Sequence, residues 1–336
     1  MNPKFLAPLL LLALVSATAG AADFGADYPY PVPLGLPAPQ VPADNPITDG
    51  KVALGKVLFF DKRLSRDATI SCSSCHDPAK GWTDQSPVST GIRGQKGTRS
   101  APSVLNAAYM ETQFWDGRAA SLEDQAKGPI ENPLEMGFNH AELVARLSAI
   151  QGYKPLFKAA WGDDSVSIDR IAASIASFER TVLTGNSPYD RWVAGDHNAM
   201  SQAAQAGYQL FIDKDRANCI GCHSGPNFSD SKFHNTGIGA DEPGRMAVTH
   251  NPKDMGAFKT PTLRNLKSTG PYMHDGSRKT LIEAIDLYDD GGIKNPNLDE
   301  KIKPLKLTEI EEAALGYFLQ ALNGDPVNIT APPMPQ

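Results

Sequence analysis

Apolar residues recur at helical spacing in several separate stretches of this chain, with loop-forming residues between them. Val52, Leu54, Val57 and Leu58 follow Thr48 and Asp49, either of which can cap a helix running through Phe60. Similar patterns run near 121–128, 140–150 and 168–184. The last carries Ile168, Ile171, Ile175, Phe178 and Val182, with Gly185 as its stop. Ser201 opens a further helix to about residue 213. Segments 280–287 and 308–322 read as closing helices, and Glu311 three residues after Thr308 forms a capping box. Between them, 77–114 and 224–279 are rich in Gly, Ser and Pro and read as loops. Residues 186–200 look like a link. Prolines crowd 23–46, which reads as an extended or poorly ordered arm, and the Pro-rich tail after Asn323 reads as loose.

Two short strings change this picture. Cys72-Ser73-Ser74-Cys75-His76 and Cys219-Ile220-Gly221-Cys222-His223 are both Cys-x-x-Cys-His, the attachment sequence of a c-type haem. Both thiols add across the porphyrin vinyl groups, and the adjacent His becomes an axial ligand of the iron. The motifs consume all four cysteines. One structural zinc on two Cys pairs, or two local disulfides, would not require a His after each second Cys. No repeat is evident beyond these two haem segments.

The expected fold is mainly α: two cytochrome c-like haem domains packed together, loop-rich because haem organises much of the interior. Lys4, an apolar run from Leu6 to Val15 and small residues around 17–21 read as a secretory signal. That run is too short to span a bilayer comfortably, and no later segment qualifies. The expected organisation is a signal peptide over 1–21, the arm over 22–46, domains over 47–190 and 191–325, and a tail over 326–336. Export to the bacterial periplasm fits c-haem attachment. A net charge of −6 argues against a nucleic-acid partner.

Four further segments carry a family likeness. Leu54-Gly55-Lys56-x-Leu58-Phe59-Phe60-Asp61, Phe114-Trp115-Asp116-Gly117-Arg118, Glu131-Asn132-Pro133-x-Glu135-Met136-Gly137 and Tyr272-Met273-His274-Asp275-Gly276 resemble the bacterial dihaem cytochrome c peroxidase superfamily. The resemblance implies an amino-terminal haem that reacts with hydrogen peroxide and a carboxy-terminal haem that handles the second oxidising equivalent. It implies an acid/base role for Glu135, a hydrogen-bonding Gln125, a pocket-shaping Pro129 and an inter-haem relay at Trp115. Arg118 and Arg264 are candidate propionate contacts, and His274 a propionate-binding or supporting residue. A calcium ion between the domains would use Thr269 and Pro271 carbonyls and Ser100, where the family has Asn.

Two departures refine the likeness. Ordinary members often carry a distal His in the loop after the first motif, but no His lies between His76 and His140. The first iron is therefore expected to have an open face. Ordinary members also ligate the second iron with Met, fourteen residues after the position of His274; here that position is Tyr288. Tyr at this place marks the MauG/MbnH-like branch, with Met273 as the rival ligand. Phenolate ligation lowers the iron potential and stabilises a high-valent state, whereas Met favours reduced iron. The leading expectation is peroxide-driven oxidation of Trp or Tyr on a periplasmic partner protein by a two-haem high-valent state. The alternatives are peroxide removal with electrons from a small cytochrome c or cupredoxin, and a non-enzymatic dihaem electron shuttle.

Overall fold

The structure, a computed structural model, describes Pro29 and residues 32–336; the signal-peptide reading lies outside the described residues. Its helices are α1 (Asp49–Phe60), α2 (Cys72–Cys75), α3 (Leu122–Glu131), α4 (His140–Ala149), α5 (Tyr153–Trp161), α6 (Ile168–Glu179), α7 (Pro188–Val193), α8 (Gln202–Ile212), α9 (Met246–Thr249), α10 (Leu281–Asp289) and α11 (Glu309–Ala321). The two-residue strands β1 (Phe233–His234) and β2 (Phe258–Lys259) pair antiparallel, His234 opposite Phe258. Helices α5 and α7 fall where no helix was expected; α7 interrupts the presumed link, with Ser187 and Asp190 forming a capping box.

Capping sets where the long helices start. Thr48 Oγ1 accepts from the Lys51 amide, Ser167 Oγ from Arg170, and Thr308 pairs reciprocally with Glu311. The apolar stripe of α6 packs on α1 and builds the first core around Leu54, Leu58, Ile171, Ile175 and Phe178. In the second half α8 and α11 pack around Phe211, Leu315 and Phe318.

These two helix pairs are versions of one another. A Cβ on Gly55 would lie 1.8 Å from Ser174 O and 2.9 Å from Phe178 Cβ. One on Gly207 would lie 1.9 Å from Ala314 O and 2.9 Å from Phe318 Cβ. Only Gly allows either backbone contact. The repeat extends further. Asn106 and Phe114 have positive φ, as do Asn265 and Met273, and the bridge Gln113–Ala119 matches Tyr272–Arg278. Ser121 caps α3 as Thr280 caps α10, all at a constant offset of 159 residues. A repeat thus exists beyond the haem motifs; the substitutions between copies hide it from the sequence.

Among the described residues, both Pro-rich segments are tied down. Leu34 O accepts from the Asn186 amide at 2.8 Å, and Pro37 O from the Tyr109 hydroxyl at 2.7 Å. The tail returns to the first half: Trp82 Nε1 donates to Val327 O at 3.0 Å, Arg63 Nη1 to Pro335 O at 2.9 Å, and Val327 and Ile329 cover the first core. Proline removes backbone donors but leaves carbonyls free to accept, so these Pro-rich strings still dock.

Arg264 also departs from expectation. Its Nη1 and Nη2 donate to Asp190 at 2.8 and 2.9 Å, its Nε to Pro226 O at 2.7 Å, and both charged side chains are 1% exposed. It is a buried ion pair joining α7 to the 262–266 loop. Asp190→Asn is expected to destabilise the protein by about 3–5 kcal/mol, the cost of orphaning a buried charge. A lowered thermal midpoint with both cofactors attached would show it.

Candidate haem sites

Each Cys-x-x-Cys-His segment forms one tight turn. The His76 amide donates to Cys72 O at 3.0 Å, and the His223 amide to Cys219 O at 2.8 Å. All four cysteines are free, so the disulfide reading fails. Among the described residues the only cluster of three acidic, His or Cys ligands is Cys222, Asp230 and His234, so the four thiols do not share a zinc. Burial holds Cys75 at about 11 and Cys219 at about 12, so they stay protonated until they react.

Both imidazoles are prepared as ligands. His76 Nδ1 faces Trp82 O at 3.3 Å and His223 Nδ1 faces Phe228 O at 3.0 Å. A carbonyl can only accept, so Nδ1 carries the hydrogen and Nε2 keeps its lone pair. Burial lowers the pKa of both, that of His223 to about 4, which keeps them neutral.

A cavity of about 250 Å³ opens against Cys72, Cys75 and His76. Leu122, Gln125, Ala126 and Pro129 of α3 also line it, at the i, i+3, i+4, i+7 spacing of one helix face. Glu135 enters from the loop beyond α3. Its Oε1 accepts from Asn132 Nδ2 at 2.7 Å, and burial raises its pKa against the opposing pull of Asn132 and Arg118. Pro129 lacks the N–H that Gln125 O would otherwise accept in the helix. The three distal candidates therefore share the cavity with the attachment motif, and His76 is the one His among its lining residues. Two thiols, a neutral imidazole and a face carrying one carboxyl and one amide fit a c-type haem.

The repeat locates the second distal face. At the 159-residue offset, Pro129 on α3 corresponds to Tyr288 on α10. The Tyr288 phenol is pushed well above its ordinary value by burial, with Cys222 and Cys219 adding to the shift. The phenol therefore lies near the thiols of the second motif. Where the first half has a residue that cannot ligate, the second has one that can. Met273 corresponds to Phe114, and its carbonyl accepts from Ser100 Oγ at 3.2 Å.

Trp115 lines the first cavity and lies edge-on to His274, with centroids 6.3 Å apart. His274 stacks on Phe258 at 3.5 Å, and Phe258 is the cross-strand neighbour of His234 beside Cys222. A series of rings thus runs from the first cavity to the second motif. His274 is 3% exposed, and its Nε2 lies 3.3 Å from Glu242. Ser100 pins the series: its carbonyl accepts from Trp115 Nε1 at 3.0 Å and its amide donates to His274 O at 2.7 Å. Thr269 Oγ1 donates to Leu266 O at 3.4 Å, which leaves the Thr269 and Pro271 carbonyls named for calcium out of that bond.

Arg118 lines the first cavity, stacks on Phe114 at 3.5 Å and pairs with Asp116 at 3.0 Å. Arg99, missed in the sequence, lines it too and bridges Asp116 and Glu242 at 2.8 and 3.3 Å. Glu179 was also missed. It lies four residues after Ile175 on the apolar stripe of α6, and a carboxyl at a core position was the available signal. His234 is clamped by Asp299 at Nδ1 (2.6 Å) and Asp230 at Nε2 (3.0 Å). His140 Nε2 lies 3.0 Å from Lys127 O, away from the cavity.

Comparison with known proteins agrees with this geometry. Residues 49–198 match the family model described as di-haem cytochrome c peroxidase. The chain is 41% identical over 335 residues to the methylamine utilization protein MauG of Methylophilus methylotrophus, covering 99% of both chains. It is 38% identical to the cytochrome c551 peroxidase of Nitrosomonas europaea, covering 97% of this chain and 93% of that one. A solved MauG-like protein associated with microbial copper homeostasis superposes with a TM-score of 0.83 at 35% identity, covering 89% of this chain and 96% of that one. With full-length relatives at this identity and two prepared haem turns, the chain belongs to the di-haem cytochrome c peroxidase family of peroxide-reactive oxidoreductases, with two haem c groups as its cofactors.

Proposed function

We propose that this chain is an exported, MauG-type enzyme that uses hydrogen peroxide to oxidise a Trp or Tyr side chain of a periplasmic partner protein. Bound haem supplies the redox chemistry, two oxidising equivalents per peroxide shared over two irons. The observation that supports the reading is Tyr288 on α10, whose phenol lies near Cys222 and Cys219 of the second attachment motif. As a phenolate, Tyr288 would be a strong anionic donor to the iron held by His223 and would favour its oxidised state. Such a site suits storage of an oxidising equivalent better than acceptance of electrons from a high-potential donor.

The remaining residues divide the work. Glu135 takes the first peroxide proton and returns it to the departing oxygen; burial brings its pKa closer to working pH, where a general acid/base is most effective. Asn132 orients that carboxyl, and Gln125 would offer a hydrogen bond to peroxide in the cavity. Trp115, with His274 and Phe258, carries charge between the halves. The partner docks outside, because the buried cavity has no room for a polypeptide.

Electron paramagnetic resonance of the ferric protein tests this. One high-spin and one low-spin signal, both silenced by one equivalent of peroxide, are expected; two six-coordinate irons inert to peroxide would leave only an electron shuttle. Trp115→Phe is expected to keep both haems but leave the low-spin signal after peroxide, because charge no longer redistributes. Silencing of both signals in that variant would remove Trp115 from the path. The named peroxidase activity of the Nitrosomonas relative supports a second reading, peroxide removal with electrons from a small cytochrome c or cupredoxin. Rapid steady-state turnover with such a donor would favour it.

A further inference from the structure

Glu179 ends α6 with its side chain in the wall of the first cavity, beside Ile175. The residue is 5% exposed, and its Oε2 has no hydrogen-bond partner. The adjacent cation does not serve it: Arg180 Nη1 and Nη2 donate to Glu123 of α3 at 2.6 and 2.9 Å. The other ionisable groups lining this cavity are the Cys72 and Cys75 thiols, consumed by haem attachment, His76, Glu135, and Arg99 and Arg118, which both pair with Asp116. A buried carboxyl without a partner is costly and needs a reason.

The second half of the molecule provides an internal control. Gly55 meets Ser174 and Phe178 as Gly207 meets Ala314 and Phe318. The residue after Phe178 is Glu179, and the residue after Phe318 is Leu319, which belongs to the second core. The packing of this helix pair therefore accepts Leu at the position. The carboxyl answers to something in the first cavity alone.

A c-type haem held by Cys72, Cys75 and His76 has polar atoms at its periphery only in its two propionates. We propose that Glu179 is a haem-binding residue: as a neutral carboxylic acid it donates a hydrogen bond to a propionate of the first haem, a contact the second haem lacks. Burial raises this carboxyl to about 8, so it carries its proton at neutral pH and donates instead of repelling the propionate. The donated bond offsets propionate charge and raises the potential of the first iron. The inference rests on the two-haem reading above.

Spectroelectrochemical titration of the full dihaem protein tests it, alongside Glu179→Gln, whose amide can donate, and Glu179→Leu, the residue of the second half. Haem content per chain is counted by pyridine haemochrome. Both variants are expected to carry two haems. Glu179→Leu should shift the first-haem potential downward, Glu179→Gln should restore most of it, and the second-haem potential should stay put in both. Loss of the first haem in the Leu variant with retention in the Gln variant supports the contact equally. An unshifted first-haem potential in a two-haem Leu variant, or a Gln variant indistinguishable from Leu, overturns the proposal. Fewer than two haems on the unmodified protein would instead strike the two-haem reading.

Discussion

Glu135→Gln is expected to slow the reaction with hydrogen peroxide by ~10²–10⁴-fold, the usual contribution of a positioned acid/base. The amide conserves shape and can keep a hydrogen bond with Asn132, but it cannot take a proton at working pH. The side chain sits on the distal side of a cavity whose other wall is the Cys72–His76 turn, so haem attachment should be untouched. The measurement is stopped-flow absorbance after mixing ferric protein with peroxide, at peroxide concentrations that saturate the unmodified protein. An unchanged rate with both haems in place would take Glu135 out of the proton path. The carboxyl would then be a buried group held by Asn132 for structural reasons alone.

Tyr288→Met is expected to convert the second site from an oxidant store into an electron acceptor. Thioether sulfur favours ferrous iron and phenolate favours ferric, and axial ligation spans ~0.8 V of haem potential. The second-haem potential should therefore rise, a sulfur-ligand absorption band should appear, and the two-electron oxidised state should decay faster. Turnover with a small reduced donor should rise in parallel. The phenol lies near the thiols of the second motif, and burial keeps it neutral without the metal. Ferric iron reverses that preference by stabilising the anion. A variant whose potential and spectrum match the unmodified protein would transfer the ligand role to Met273 or another group.

The haem motifs were legible because their chemistry is contiguous: two thiols and an imidazole within five residues need no folding to be recognised. Capped helices were legible for a similar reason, since Thr48 and the Thr308–Glu311 pair act within one turn. Helices α5 and α7 were missed, being short and lying in stretches that read as connection. The looseness expected of the Pro-rich tail does not hold, and the described part of the arm is extended but docked. Composition reports missing donors, whereas docking depended on the Val327 and Pro335 carbonyls meeting Trp82 and Arg63 some 245 and 272 residues away. Arg264 looked like a propionate contact until Asp190, 74 residues distant, was found to occupy it.

Local strings were therefore enough to specify two attachment turns, their histidines, the lack of a His between His76 and His140, and Tyr288 as a candidate ligand. Folding alone could bring Glu135, Gln125 and Pro129 opposite His76, align Pro129 with Tyr288 across a repeat of 159 residues, and leave Glu179 without a partner. The physical reason is range. Covalent attachment and helix capping act between near neighbours, but a cavity, its buried charges and its ring-to-ring contacts exist only once distant segments have excluded water together.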